Sequence, residues 1–213
     1  MSSARRLSGV LIWLGVGLVM AAPVLIAGFS PYLAYRSPAY IIGGFAGILC
    51  LALLVIQPLL AAGYLPGPGI VTARKWHRRT GAAIVACVLL HVGGLYLTSP
   101  PDTLDALLLV SPTPFSVYGV LAMWGILATA LLVALRRRLG LRYPVWRLIH
   151  NLLALMVVVA TVIHALQIEG AMGALSKWAL CLVVLVVTSG ALLEQRLIQP
   201  LRRRRVQATG RIE

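Results

Sequence analysis

The sequence predicts an all-α integral membrane protein, a bundle of six transmembrane helices with both termini cytoplasmic. Three observations carry this. Apolar runs of about 18 or more residues recur along most of the chain, the length that crosses a hydrocarbon layer. Over 213 residues the composition is 60% hydrophobic and only 11% charged, with a mean hydropathy of +0.93; an ordinary soluble domain is about a quarter charged. The net charge is +14 and the pI near 11.1, yet the positive residues fall in alternate connections, marking one membrane face rather than a nucleic-acid surface.

The elements follow in order. The first span is read at 8–29. Its basic start, Arg5 and Arg6, invites a signal-peptide reading, but the apolar stretch is longer than a usual h-region and no A-x-A site closes it. The arginine pair is read as topogenic rather than as a twin-arginine signal. Further spans are expected at 38–62, 77–98, 114–136, 144–168 and 174–195, separated by turn-rich segments such as Pro66-Gly67-Pro68-Gly69 and Pro100-Pro101. Pro23 and Pro58 fall inside spans, which membrane helices tolerate. Gly43 and Gly47, four apart, allow close helix packing. Residues 1–7 form a short cytoplasmic N-terminus, 8–196 the six-span domain, and 197–213 a basic cytoplasmic tail.

Six spans put both termini on one side. That side holds 17 of the 19 Lys and Arg residues, including Arg74, Lys75, Arg78, Arg79, Arg136–Arg138, Arg142, Arg147, Arg196, Arg202–Arg205 and Arg211. The other side holds Arg36 and Lys177, with Asp102, Asp105 and Glu169. The positive-inside rule makes the arginine-rich side cytoplasmic and the protein a multi-pass component of the inner (plasma) membrane. Trp13, Trp76, Trp146 and Trp178 lie near span ends, as an aromatic belt predicts. Cys50, Cys87 and Cys181 sit singly in apolar runs with no CxxC or CxxCH, so disulfides, a zinc site and covalent haem lack support.

All four histidines fall in the third and fifth spans: His77 and His91, His150 and His164. Intramembrane ionisable residues are costly and mark function by default. Each pair is 14 residues apart, four turns less about 40°, so its members share one helix face and stand about 21 Å apart along the axis. The two spans run in the same direction. If their faces oppose, they form two levels, each with one imidazole from each helix: His77 with His150 towards the cytoplasm, His91 with His164 towards the outside. That is the geometry of two b-type haems, each iron held by two axial histidines. A zinc or copper cage needs its ligands to converge, which pairs so far apart cannot do. Interface histidines, or an ion or proton pathway without haem, are the other uses of such residues. Small residues on the faces, Gly81, Ala154 and Ala160, leave room for a flat macrocycle; nothing between the levels predicts an aromatic relay.

The segments Trp76-His77-Arg78-Arg79 through Leu90-His91, and Trp146-Arg147-Leu148-Ile149-His150 through Ile163-His164, make the chain resemble the ferric reductase-like transmembrane domain shared by ferric reductases and NADPH oxidases. The resemblance implies that the four histidines ligate two haems carrying electrons from the cytoplasmic to the outer face. It also implies a donor. Complete enzymes of that family continue into a flavin- and nicotinamide-binding module; this sequence has no G-x-G-x-x-G, so the donor is expected to be a separate flavin/NAD(P)H reductase, with its own flavin, or a quinol. In size and span count the chain also resembles the haem-binding membrane subunit of the bacterial periplasmic methionine-sulfoxide reductase system. That subunit lacks a match to His77 and spaces its fifth-span pair one residue closer, so His77 draws this sequence towards the two-haem pattern. The bis-histidine arrangement leaves no open iron position, so the expected role is outer-sphere electron transfer to an outer-face acceptor. Arg147, three residues before His150, and Arg78, beside His77, are the best candidates for holding haem propionates. The Arg202–Arg205 run is expected at anionic headgroups, and Glu194 is expected to pair with an arginine.

Overall fold

The computed structural model describes residues 3–201; Arg202–Arg205, Arg211 and most of the basic tail lie outside the described residues. Among the described residues there are seven α-helices and no strands: α1 Ser3–Gly28, α2 Pro38–Ala62, α3 Ile70–Thr98, α4 Pro100–Leu107, α5 Pro114–Ala134, α6 Tyr143–Gln167 and α7 Ala174–Leu193. All but α4 are long and apolar enough to cross a membrane, the last continuing through a π-helical turn, Glu194–Ile198, to Leu201.

Local chemistry sets the boundaries. A proline in the first turn opens α2, α4, α5 and α6, where its missing N–H costs nothing. Ser37 caps α2 by accepting from the Tyr40 N–H at 3.2 Å. Gly63, at φ 71°, ends α2 with its N–H on the Leu59 carbonyl. Two expectations are corrected here. The third span begins seven residues earlier than the hydropathy suggested, at Ile70, because Arg74, Lys75 and Arg78 are good helix formers that end an apolar run without ending a helix. His77 therefore lies two turns inside its helix. The connection between the third and fourth spans is not simply a loop: Pro100 starts α4, and Ser99 Oγ donates to Asp102 Oδ2 at 2.6 Å across its first turn.

Helices α2, α3, α5, α6 and α7 close into a ring, each packed on its neighbours, and α1 rests outside against α2 and α7. Helices α3 and α6 face each other across the ring with scarcely any backbone contact. The core runs down this ring, from Leu51 and Val55 on α2 through Val88 and Val157 to Leu180 and Val184 on α7. Helices α2 and α3 approach backbone to backbone: a Cβ on Gly94 would lie 2.8 Å from the Gly43 Cα and 2.6 Å from the Ala39 carbonyl oxygen. Gly43 thus serves helix packing, as its spacing predicts. The buried cysteines Cys50, Cys87 and Cys181 are free.

The arginine-rich end is tied together by the α2–α3 turn. Trp13 Nε1 of α1 donates to the Pro66 carbonyl at 3.0 Å, and the Trp13 ring meets Trp76 edge-on. Tyr64 Oη donates to Glu194 Oε2, so among the described residues the partner of Glu194 is a phenol in place of the expected arginine; Arg196, the nearest cation in sequence, is turned towards α6. Partial burial and the Glu194 carboxylate push the Tyr64 phenol up to about 12. A tyrosine whose folded pKa exceeds its unfolded value near 10 stabilises the fold below that value and ceases to as pH rises towards 12. Replacing Tyr64 with Phe is expected to cost about 1 kcal/mol at pH 8, discounted for its exposure, and almost nothing above pH 12. Thermal unfolding of both proteins in detergent across that range checks it; a difference that grows at high pH contradicts it.

Candidate functional site: two tiers of facing histidines

The four histidines meet as two pairs. The ring centroids of His77 and His150 are 6.3 Å apart with planes at 67°, and those of His91 and His164 are 6.3 Å apart with planes at 81°. Each pair spans the gap between α3 and α6, and the tiers stand four helical turns apart.

Neighbouring helices fix the rings through main-chain carbonyls. His91 Nδ1 donates to the Gly43 carbonyl of α2 at 2.8 Å, His164 Nδ1 to the Phe115 carbonyl of α5 at 2.8 Å, and His77 Nδ1 to the Gln57 carbonyl of α2 at 3.1 Å. These bonds place the proton on Nδ1 and leave the Nε2 lone pair as the free donor. A helical carbonyl already serves the N–H four residues on, where a side chain would crowd a second donor. In both outer-tier seats that residue is glycine: Gly47 follows Gly43, and Gly119 follows Phe115. A Cβ on Gly47 would sit 2.9 Å from His91 Nδ1, and one on Gly119 2.8 Å from His164 Nδ1. In the His77 seat it is a small residue, Ala61. Gln57 completes that seat by returning its Nε2–H to the His77 carbonyl at 3.3 Å.

His150 is held differently. Its buried Nδ1 has no hydrogen-bond partner. Its ring instead stacks on Trp146, one turn earlier, at 5.3 Å and 14°. Trp146 is thus more than a belt residue, and its Nε1 donates to the Leu132 carbonyl of α5 at 3.4 Å.

Around the His77–His150 tier lies a largely apolar cavity of about 410 Å³, walled by all five ring helices. Small residues, Gly81, Ala130 and Ala154, make the room, while Gln57 Oε1 and Thr188 Oγ1 on its wall are buried without partners. Arg78 is on this wall. Arg147 is not on it; only its main-chain carbonyl is tied to the wall, accepting from the Asn151 amide at 3.3 Å, while Asn151, on the wall, accepts from Arg196 Nε and Nη2 at 3.0 and 3.1 Å. Arg196 and Asn151 escape sequence reasoning because their contact joins α6 to the end of α7. Among the described residues no three His, Cys, Asp or Glu side chains gather as a metal cage. Each tier, among the described residues, brings two imidazoles together with no third His, Cys, Asp or Glu.

Facing imidazoles at two depths, inside a ring of membrane-crossing helices, define a polytopic membrane protein with two paired-histidine sites. The chain matches the family described as ferric reductase like transmembrane component over residues 43–161, and it belongs to that family, a membrane electron-transfer component. The matched stretch contains His77, His91 and His150 and stops three residues before His164; the place of His164 comes from the ring it faces. No curated protein and no solved structure matches the chain.

Proposed function

We propose that this protein is a transmembrane cytochrome of b type with two haems, moving single electrons from a donor on the arginine-rich, cytoplasmic face to an acceptor on the outer face. The observation that carries the reading is the separation of the rings. An iron bound at about 2 Å by one nitrogen of each ring, each nitrogen about 1 Å from its ring centre, needs centroids about 6 Å apart. Both pairs stand at 6.3 Å. Two imidazoles per tier, with no third His, Cys, Asp or Glu among the described residues, suit an iron that would come with its remaining ligands supplied by a macrocycle. The apolar cavity and the stand-off between α3 and α6 leave space for a macrocycle at the inner tier.

Haem, when bound, supplies a one-electron Fe(III)/Fe(II) couple whose potential depends on its ligands and burial. The chain supplies the rest. His77 and His150 hold the inner group and His91 and His164 the outer. The carbonyls of Gln57, Gly43 and Phe115 orient three of the four rings and raise their basicity. Arg78 and Arg147 offer cations to propionates at the inner tier. The core around Val88 and Val157 keeps water from the interior between the tiers. A proton pathway is served poorly by this arrangement, since a relaying imidazole exchanges protons at both nitrogens and three Nδ1 atoms are committed to carbonyls. The donor is a separate flavin/NAD(P)H reductase, bringing its own flavin, or a quinol, and the membrane is the cell's inner membrane, oriented by the positive-inside rule.

The test is the absorption spectrum of the purified protein. A sharp Soret band and an α band after dithionite, with about two haems per chain, is the expected result. A folded, colourless protein overturns it.

A further inference from the structure

The inner tier has a stacked connection towards the surface, where the outer tier has only the Phe115 ring edge-on to His164, at 6.0 Å and 60°. Tyr143, Trp146 and His150 follow one another up a single face of α6. Tyr143 stacks on Trp146 at 6.1 Å and 21°, and Trp146 on His150 at 5.3 Å and 14°. Arg136, from the end of α5, lies over both outer rings, its Cζ 4.6 Å from the Trp146 centroid and 5.4 Å from that of Tyr143. Tyr143 is 54% exposed, and Arg136, Arg137, Arg138 and Arg142 around it are exposed. The stretch that carries them, residues 106–168, contains no acidic residue. The other three histidines donate to main-chain carbonyls and none of them stacks face to face on an aromatic ring, His164 meeting Phe115 only edge-on; Trp76, the other tryptophan beside an inner histidine, pairs with Trp13.

We infer that the Tyr143–Trp146 stack is the electron-entry contact of this protein, and that Arg136 and its neighbours seat an anionic, aromatic one-electron donor against it. The inference rests on the cytochrome reading. The fit is one of shape and charge: a flat exposed ring for a flat donor, and guanidinium groups for its phosphate or for the acidic rim of the protein that carries it. A reduced flavin has this chemistry. Its anionic hydroquinone gives up one electron and is left as the neutral semiquinone, with no proton moved, while one ferric iron of the inner tier becomes ferrous. Trp146 is neither oxidised nor reduced. It is a positioning residue that fixes the ring of His150, where no hydrogen bond does so, and fills the space between that ring and the donor.

The experiment uses the purified holoprotein and photoreduced flavin mononucleotide, mixed anaerobically in a stopped flow and followed at the Soret band. Trp146→Leu is expected to slow haem reduction about tenfold or more, and Trp146→Phe, which keeps a ring, by about threefold or less. Arg136→Gln is expected to lower the second-order rate about threefold and flatten its salt dependence, whereas Arg6→Gln, a cation at the same end but on α1, leaves it unchanged. A low-spin ferric resonance belonging to one haem is expected to shift in Trp146→Leu and not in Arg136→Gln, a change that a belt residue would not produce. Trp146→Leu with both haems, an unshifted resonance and the wild-type rate overturns the inference. If Trp146→Leu loses a haem, Tyr143→Leu at the exposed end of the stack decides: a slowing of about threefold supports the entry contact, and the wild-type rate overturns it. A wild-type protein without a Soret band is a different failure, that of the cytochrome reading itself.

Discussion

Replacing His91 with leucine is expected to lower the haem content from about two per chain to about one and to leave the spectrum of the remaining haem unchanged. Among the described residues the outer tier has two imidazoles and no third His, Cys, Asp or Glu to substitute for either. Removing His91 leaves His164 as a lone ligand, its Nδ1 still on the Phe115 carbonyl at 2.8 Å. The inner pair keeps its seats, because its supports, Gln57 on one side and Trp146 on the other, lie about four and five turns away along their helices. Leucine also fills the space that Gly47 opens, so folding survives. The more demanding test is the double variant. His91 and His164 belong to one tier, so His91→Leu with His164→Leu should lose no more haem than either alone, while His91→Leu with His77→Leu should lose both. Pyridine haemochrome content and low-spin ferric resonances measure this. Two haems retained in each of the four single variants would overturn the ligand assignment.

The tiers were legible in the sequence because a helix has a fixed pitch. Fourteen residues on an apolar helix put His77 and His91 on one stripe, and the same interval put His150 and His164 on another; two spans of like direction can match such stripes only level by level. Helix ends were less legible. Hydropathy marks where a chain becomes wet, and α3 runs seven residues past that point into Arg74 and Lys75. The ring seats were not legible at all as function. As sequence features Gly47 is a packing glycine and Gly119 one small residue in an apolar run, since each matters only for a histidine on another helix. One signal was available in retrospect: a glycine or alanine four residues after a carbonyl that faces a buried imidazole, as at Gly43–Gly47, Phe115–Gly119 and Gln57–Ala61. The stack of Trp146 on His150 was open to the same helical arithmetic, but its position near a span end gave it a sufficient ordinary explanation.

Adjacent glycines on α3 provide the second test, because a methyl group at Gly94 meets backbone and one at Gly93 meets nothing. The Cβ of an alanine at position 94 would lie 2.6 Å from the Ala39 carbonyl oxygen, 2.8 Å from the Gly43 Cα and 3.0 Å from the Gly43 nitrogen. All three are main-chain atoms, so no rotamer change relieves the contact and α2 must move away. That movement opens the close α2–α3 crossing and draws the Gly43 carbonyl off His91 Nδ1, now at 2.8 Å. Overpacking of this kind costs about 1–3 kcal/mol, and the lost hydrogen bond about 1 kcal/mol more. For a chain of this length Gly94→Ala should then lower the unfolding midpoint in detergent by about 5–10 °C and disturb the outer haem before the inner. At Gly93 a Cβ finds no atom within 4 Å, so Gly93→Ala should be neutral or gain up to about 1 kcal/mol from helix propensity. The same methyl on neighbouring residues thus acts in opposite directions. If both variants melt together, with the outer haem intact in each, the close α2–α3 crossing is not what holds His91 in place.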